Sequence, residues 1–337
     1  MIDPTVAAGV ILASALATSV YRRLALVRGV IAKVTFRSLH TTAIPRGAGI
    51  AFAAVFTGAV LWAFASGRLP VWMAVAWGVG GGAAAVVGFW DDLREIPAAV
   101  KLGAQTILAL GLFLVLYQPV YASHVPADFL PRLAMAAVLT FVPVWLINLY
   151  NFIDGVDGMA IMGAIFICAA ATTVLMLTGG DPAFVLIATL LGSVCLGFAW
   201  FNLPPANIFM GDAGSIFLGY SVSALVLATV LSGQINGWTW AAILAYFLAD
   251  TTVTGLYRLL FVRNWYGVHR SHAYQHLAKS HGHAMVTYGV VAYNLFWALP
   301  LAVWSALVPA IAPLAAVLSI APALAWAYRF GPRLSVG

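Results

Sequence analysis

Three stretches of this chain bring together residues able to do chemistry on phosphate. In the first, 201–215, Asn202, Asn207 and Asp212 share one short loop between apolar runs. Pro204 and Pro205 exclude a helix there, and Gly211 and Gly214 permit a close approach of backbone to a ligand. Ala213, Gly214 and Ser215 then open a helix whose free amides suit a phosphate. The plainer alternative is a helix start at which Asp212 or Ser215 caps those amides. In the second, Asp91 and Asp92 stand side by side at the end of an apolar run, followed by Arg94, Glu95 and Lys101. Adjacent carboxylates repel unless a cation neutralises them. That cation is either a bound metal or a base such as Arg94 or Lys101. The third stretch, 148–159, holds Asn148, Asn151, Asp154, Gly155, Asp157 and Gly158. One Asp-Gly pair makes a turn, whereas two, preceded by amides, favour a ligand site. Oxygen-only donors suit Mg2+ or Mn2+ better than zinc.

A later basic stretch contains Arg258, Arg263, Arg270, His272, His276 and Lys279. His272 and His276 have the spacing of one helical face. No cysteine or glutamate accompanies them in a zinc-protease pattern. A loop that grips phosphate oxygens fits the composition better. Asp250, inside an apolar run, is expected to pair with another helix or with Arg258.

The elements that position these residues must be membrane helices. Hydrophobic residues make up 63% of the chain and charged residues 8%, against roughly a quarter charged in soluble domains. The expected fold is an all-α polytopic integral membrane protein forming one domain over 1–337. A span needs about 20 apolar residues. Eleven segments meet the pattern near 4–21, 48–66, 70–89, 98–118, 130–149, 159–178, 183–200, 214–232, 238–257, 285–306 and 308–328. Ten remain an alternative, because Pro309 and Pro313 mark either a turn or a kink between the last two. Cys168 and Cys195 lie inside apolar runs, so no disulfide framework is expected. No basic region precedes the first apolar run, so no signal peptide is expected. Of the 16 basic residues, all but Arg68 and Arg132 fall in one set of alternate loops, which predicts that set to be cytoplasmic. The N-terminus is then outside and the C-terminus inside. Asp91, Asp92, Asp154, Asp157 and Asp212 fall on that same side, which the distribution of basic residues does not require. The net charge of +6 is therefore read as orientation, not as nucleic-acid binding.

Taken in order, the motifs are specific. They are Asp91-Asp92; Asn148, Asn151-Phe152, Asp154-Gly155 and Asp157-Gly158; Asn202, Pro205-Ala206, Phe209 to Asp212 and Gly214-Ser215; Asp250-Thr251; and the histidine loop. Over roughly residues 40 to 280 the chain resembles the polyprenyl-phosphate N-acetylhexosamine-1-phosphate transferases (glycosyltransferase family 4). The stretches His40–Gly47 and Ser271–His276 resemble the O-antigen-initiating branch. The resemblance implies transfer of an N-acetylhexosamine 1-phosphate from a UDP-sugar to polyprenyl (undecaprenyl) phosphate, with release of UMP. It implies the first membrane step of O-antigen or surface-polysaccharide synthesis, at the cytoplasmic face of the inner (plasma) membrane, with Mg2+ or Mn2+ as cofactor. Asp91, Asp92, Asp212 and His272 are implied as catalytic, and Asp212 with Asp91 or Asp92 as metal ligands. Asn151, Asp154, Gly155, Asp157, Asn202 and Phe209 are implied on the nucleotide side, with Phe209 against the uracil. Arg263, Arg270, His272 and His276 are implied to hold phosphate or sugar. A homodimer stays open.

Two other classes share some of these features. A transporter keeps its acids near the midplane on broken, repeated helices, and no repeat is evident. A CDP-alcohol phosphatidyltransferase carries Ala-Arg two residues after its Asp-Gly, whereas Asp154-Gly155 is followed by Val156, Asp157, Gly158, Met159 and Ala160 with no arginine.

Overall fold

The computed structural model describes residues 3–31, 44–94, 96–121, 128–262 and 271–332. Ordered along the chain, the helices are α1 Pro4–Arg28, α2 Gly49–Ala65, α3 Val71–Arg94, α4 Ala98–Leu116, α5 Phe129–Ile153, α6 Met159–Thr178 and α7 Pro182–Asn202. They continue with α8 Gly211–Leu231, α9 Gly237–Ile243, α10 Ala245–Phe261, α11 Ala273–His281, α12 His283–Leu307 and α13 Pro309–Phe330. Helices satisfy their own backbone hydrogen bonds, as hydrocarbon requires. Local chemistry sets several starts. Asp3 and Asp181 accept from Thr5 N and Ala183 N at 2.9 and 2.8 Å, each with proline at the first helical position.

Among the described residues, nine helices are long and apolar enough to cross a membrane; the chain is a polytopic membrane protein. All eleven expected segments coincide with helices, but two depart from a plain span. Helix α2 has only 17 residues. The 238–257 run is interrupted at Leu244 (φ −88°, ψ 8°), which separates α9 from α10. The break between the last two segments is a turn: Val308 (φ −128°, ψ 81°) leaves helical geometry just before Pro309.

Helix α8 is the hub. It is almost wholly buried, whereas α1 is mostly exposed. Apolar side chains such as Leu16, Trp200 and Phe296 point outward from the bundle, where lipid is the natural solvent. Close approach to α8 depends on glycine. A Cβ at Gly88 of α3 would lie 2.1 Å from the Asp212 carbonyl oxygen, and one at Gly49 of α2 1.9 Å from Gly214 N. No side chain fits in either gap, so the ends of α2 and α3 lie directly against the first turn of α8.

Candidate active site

That contact assembles the acidic cluster. Asp91 and Asp92 lie in the last turn of α3 and are both buried. Being adjacent on a helix, they point in different directions. The Asp92 carboxylate turns toward α8 and accepts from the amides of Asp212 and Ala213 at 3.1 and 3.0 Å. It therefore caps α8 from a neighbouring helix, occupying the amides that the sequence offered to phosphate or to a local cap. Gly211 makes room for it: its φ is +69°, and a Cβ there would sit 2.4 Å from Asp92 Oδ2. Arg46 donates to the Asp92 carbonyl, and Tyr21 Oη donates to the Arg46 carbonyl at 2.9 Å.

Asp91 faces the other way. One of its oxygens accepts from Ile96 N at 2.8 Å, and the other pairs with Lys101 Nζ. Lys101, in the first turn of α4, also pairs with Asp212 Oδ2 at 2.5 Å. Asn151, near the end of α5, donates to Asp212 Oδ1 at 2.8 Å and to Ser215 Oγ at 3.1 Å. Asp91, Lys101, Asn151 and Asp212 thus converge from four helices. The members of the acidic pair, which the sequence left interchangeable, have separate roles: Asp91 faces the cluster and Asp92 braces it.

The two Asp-Gly pairs also diverge. Asp154 ends α5 and lies half-buried. Burial, with the negative charges of Asp212, Asp92 and Asp157, pushes its carboxyl up to about 8. Gly155 admits Tyr274, whose Oη would lie 2.6 Å from a Cβ there. Gly158 (φ +74°) supplies the turn into α6. The Asp157 carboxylate accepts from Ala206 N at 3.0 Å and lies 3.3 Å from His283 Nδ1. Asn202 is buried and donates to the Ile208 carbonyl at 2.9 Å, stapling the 203–210 loop. Phe209 is half-buried; its amide donates to the Pro45 carbonyl at 2.9 Å and its carbonyl accepts from Ala48 N at 3.2 Å.

The histidines do not share a face. His272 precedes α11, is 3% exposed, and lies against the rings of Phe152 and Tyr274 with Nδ1 3.8 Å from Asp250 Oδ2. His276, inside α11, donates from Nδ1 to the Phe330 carbonyl at 2.8 Å, tying α11 to the end of α13. The expected i, i+4 pairing fails because His272 lies outside the helix. Asp250 pairs with another helix, as one of its two expected arrangements had it. Arg263 and Arg270 lie outside the described residues.

Sequence reasoning named Lys101 only as a potential partner of the acidic pair. Its position in the first turn of a span, nine residues after Asp92, was the available signal for its bridging role. The donors around it are hard oxygens, and its ammonium already stands where Asp91 and Asp212 converge. A cation is thus accommodated there, and the Asp91 and Asp212 oxygens fit Mg2+ or Mn2+. Asp92 does not turn its carboxylate to that position. Among the described residues, no group of three or more His, Cys, Asp or Glu side chains forms a closed metal cage.

A membrane helix bundle with carboxylates, an ammonium and an amide gathered at its helix ends defines a polytopic protein with an enzyme-like polar centre. The sequence profile of glycosyl transferase family 4 matches residues 74–230. That range contains Asp91, Asp92, Lys101, Asn151, Asp154, Asp157, Asn202 and Asp212. The chain is also 32% identical over 222 residues to a Bacillus subtilis (strain 168) protein described as a probable undecaprenyl-phosphate N-acetylglucosaminyl 1-phosphate transferase. The match covers 62% of this chain and 58% of that relative. Over residues 74–230 the chain is similar to glycosyl transferase family 4, and it spans less than two thirds of the length of the curated relative it matches.

Proposed function

We propose that this protein transfers an N-acetylhexosamine 1-phosphate from a UDP-sugar to polyprenyl phosphate, with undecaprenyl phosphate as the acceptor and UMP as the leaving group. The observation that carries this reading is the convergence of Asp91, Asp212, Lys101 and Asn151 at the ends of membrane helices. An acceptor with a long lipid tail reaches such a site sideways from the bilayer, while a nucleotide sugar arrives from water. A nucleotide-sugar donor favours the cytoplasmic face of the inner membrane, in agreement with the distribution of basic residues. The resemblance of the histidine loop favours the start of O-antigen or surface-polysaccharide synthesis.

In the reaction an oxygen of the acceptor phosphate attacks the sugar-linked phosphorus. The bridging P–O bond breaks, and its electron pair leaves with UMP. One phosphoanhydride is exchanged for another, so no ATP is needed. Charge gathers on the phosphate oxygens, so positioning and electrostatic clamping dominate. Lys101 supplies one fixed positive charge for those oxygens. Asn151 holds the Asp212 carboxylate in place, and Asp92 holds the backbone of Asp212. Asp91 orients the acceptor phosphate. A Mg2+ ion held by Asp212 and Asp91 would neutralise the diphosphate.

The test is incubation of membranes containing the protein with UDP-N-acetylglucosamine and undecaprenyl phosphate. UMP release that depends on both the lipid and Mg2+ is expected, and a panel of other UDP-N-acetylhexosamines then identifies the sugar. No lipid-dependent UMP release from any member of the panel would refute the reading.

A further inference from the structure

Lys101 lies in the first turn of α4 and holds both Asp91 and Asp212, yet nothing apolar holds that turn. The buried residues of α4 are Gln105, Ala109, Leu112 and Leu116, whereas Ala98, Ala99 and Val100 are exposed. Upstream, the 2.8 Å bond from Ile96 N to Asp91 ties the connection to α3 and leaves the rotation of α4 open. Gln105 is therefore the first buried point of α4 counted from the site. It is 1% exposed, and its Oε1 accepts from Asn148 Nδ2 of α5 at 2.8 Å. Asn148 Nδ2 also donates to the Val144 carbonyl at 2.7 Å, one turn back in its own helix. With both its hydrogens engaged, that amide holds Gln105 at a set angle.

Spacing carries this bond to the site. Lys101 and Gln105 are four apart on α4, and Asn148 and Asn151 are three apart on α5, so each pair shares a helical face. The two helices thus meet twice. Gln105 and Asn148 make one meeting, and Asp212, held by both Lys101 and Asn151, makes the other one turn away. Gln105 Nε2 is enclosed and has no partner among the described residues. A buried unpaired donor is costly, and two apolar side chains of similar shape would fill the place without that cost. Stability therefore does not account for the polar pair. A hydrogen bond supplies what an apolar contact lacks, which is direction. We propose that Gln105, through Asn148, is a positioning residue that sets α4 against α5 so that Lys101 Nζ stands between Asp91 and Asp212. This rests on, and deepens, the reading above in which Lys101 supplies a fixed charge to the phosphates. Gln105 touches neither substrate and acts through Lys101.

The experiment uses the full-length protein in detergent and two readouts. The first is the rate at which an amine-acylating reagent modifies Lys101, followed by mass spectrometry, with exposed Lys279 as the internal reference. The second is kcat/KM with UDP-N-acetylglucosamine and undecaprenyl phosphate. Gln105→Leu keeps the bulk and removes the bond. It should retain the thermal midpoint, while Lys101 is acylated severalfold faster relative to Lys279. Its kcat/KM should fall roughly 10-fold, since a displacement of about 1 Å remote from the chemistry can cost that much and more. In a Lys101→Met background the same change should produce no further fall. If Gln105→Leu alone is poorly folded, Gln105→Leu with Asn148→Leu replaces both partners at once and should give the same two results. Unchanged acylation of Lys101 in a folded variant overturns the inference, as does a fall in kcat/KM that persists in full without the lysine. Acylation needs no turnover. Should the wild type release no UMP from any donor, the transfer reading fails, and the label still decides whether Gln105 seats Lys101.

Discussion

Two helix starts near the site are capped by carboxylates from other helices, and they are built differently. At α8, Asp92 meets the amides across gaps that only glycine leaves open, with Gly211, Gly88 and Gly49 all in contact too close for a Cβ. At α11, Asp250 caps Ala273 N at 2.9 Å with no glycine gap beneath it, and two polar contacts beside it are long: 3.8 Å to His272, and 3.5 Å between Arg258 Nη1 and Ser271 Oγ. Backbone-to-backbone packing leaves no freedom, because backbone cannot change rotamer. Side-chain bracing can adjust. The carboxylate that would bear diphosphate charge thus sits on the rigid start, and the imidazole sits on the adjustable one.

The largest effects should come from the rigid start. Asp212→Asn removes the charge on which Lys101 and Asn151 converge, and a loss of roughly 100- to 1,000-fold in kcat is expected. Asp3→Asn and Asp181→Asn are controls: each only caps its own helix, at a cost of about 1 kcal/mol or less. Wild-type turnover by Asp212→Asn in EDTA would eliminate the clamp. Next comes Gly88→Ala. Its Cβ would lie 2.1 Å from the backbone oxygen of Asp212, so α3 or α8 must move. A clear drop in thermal midpoint is expected, together with loss of activity. By contrast, Gly289→Ala in α12 meets nothing within 4 Å and should be silent in both assays.

The same contrast explains what was legible in the sequence. Span positions follow from run lengths, so every expected segment is a helix. The interruption at Leu244 escaped notice because neither proline nor glycine marks it. Asp91, Asp212 and Asn151 stood out in the sequence because acids and amides cluster in short stretches at span ends, and the structure brings the three together. The division of labour between Asp91 and Asp92 was not legible: which of two adjacent side chains meets α8 is decided by helix rotation, a tertiary property. Asp157 and Asn202 carry residue types that suit a ligand, yet their polar atoms are engaged by Ala206 and Ile208 of the proline-containing loop. The spacing of His272 and His276 misled because it presumes that both residues lie within one helix.

Lys101 should give an intermediate effect. Lys101→Met keeps the length of the side chain and removes the charge between Asp91 and Asp212. Those carboxylates then face each other without their ammonium, and donor phosphates lose a fixed cation. A fall of roughly 10- to 100-fold in kcat/KM is expected, from the loss of about 1.5–3 kcal/mol of charge-assisted hydrogen bonding. Lys101→Arg should restore part of it, because a guanidinium is larger and must re-pair with two carboxylates that both hold the native nitrogen. Full activity in Lys101→Met would remove the lysine from the clamp and leave it a space-holder.

The smallest effect concerns Asp154, which borders the rigid start without being braced by it. Its carboxyl is pushed up to about 8 by burial and by the charges of Asp212, Asp92 and Asp157, against an ordinary value near 4. The folded state therefore favours the protonated form. The stability this contributes is fully present below the ordinary value and is lost progressively as pH rises through about 8. In detergent without metal or nucleotide, the thermal midpoint of the wild type should decline between about pH 5 and pH 8. Asp154→Asn, permanently neutral, should decline less and overtake the wild type near pH 8. Mg2+ should make the wild-type slope shallower, because a cation beside Asp212 offsets part of the repulsion that raises the Asp154 value. If Asp154→Asn follows the wild-type curve throughout, the pH dependence belongs to the carboxylates of the cluster itself. Asp154 would then be a bystander to the charge that α8 holds in place.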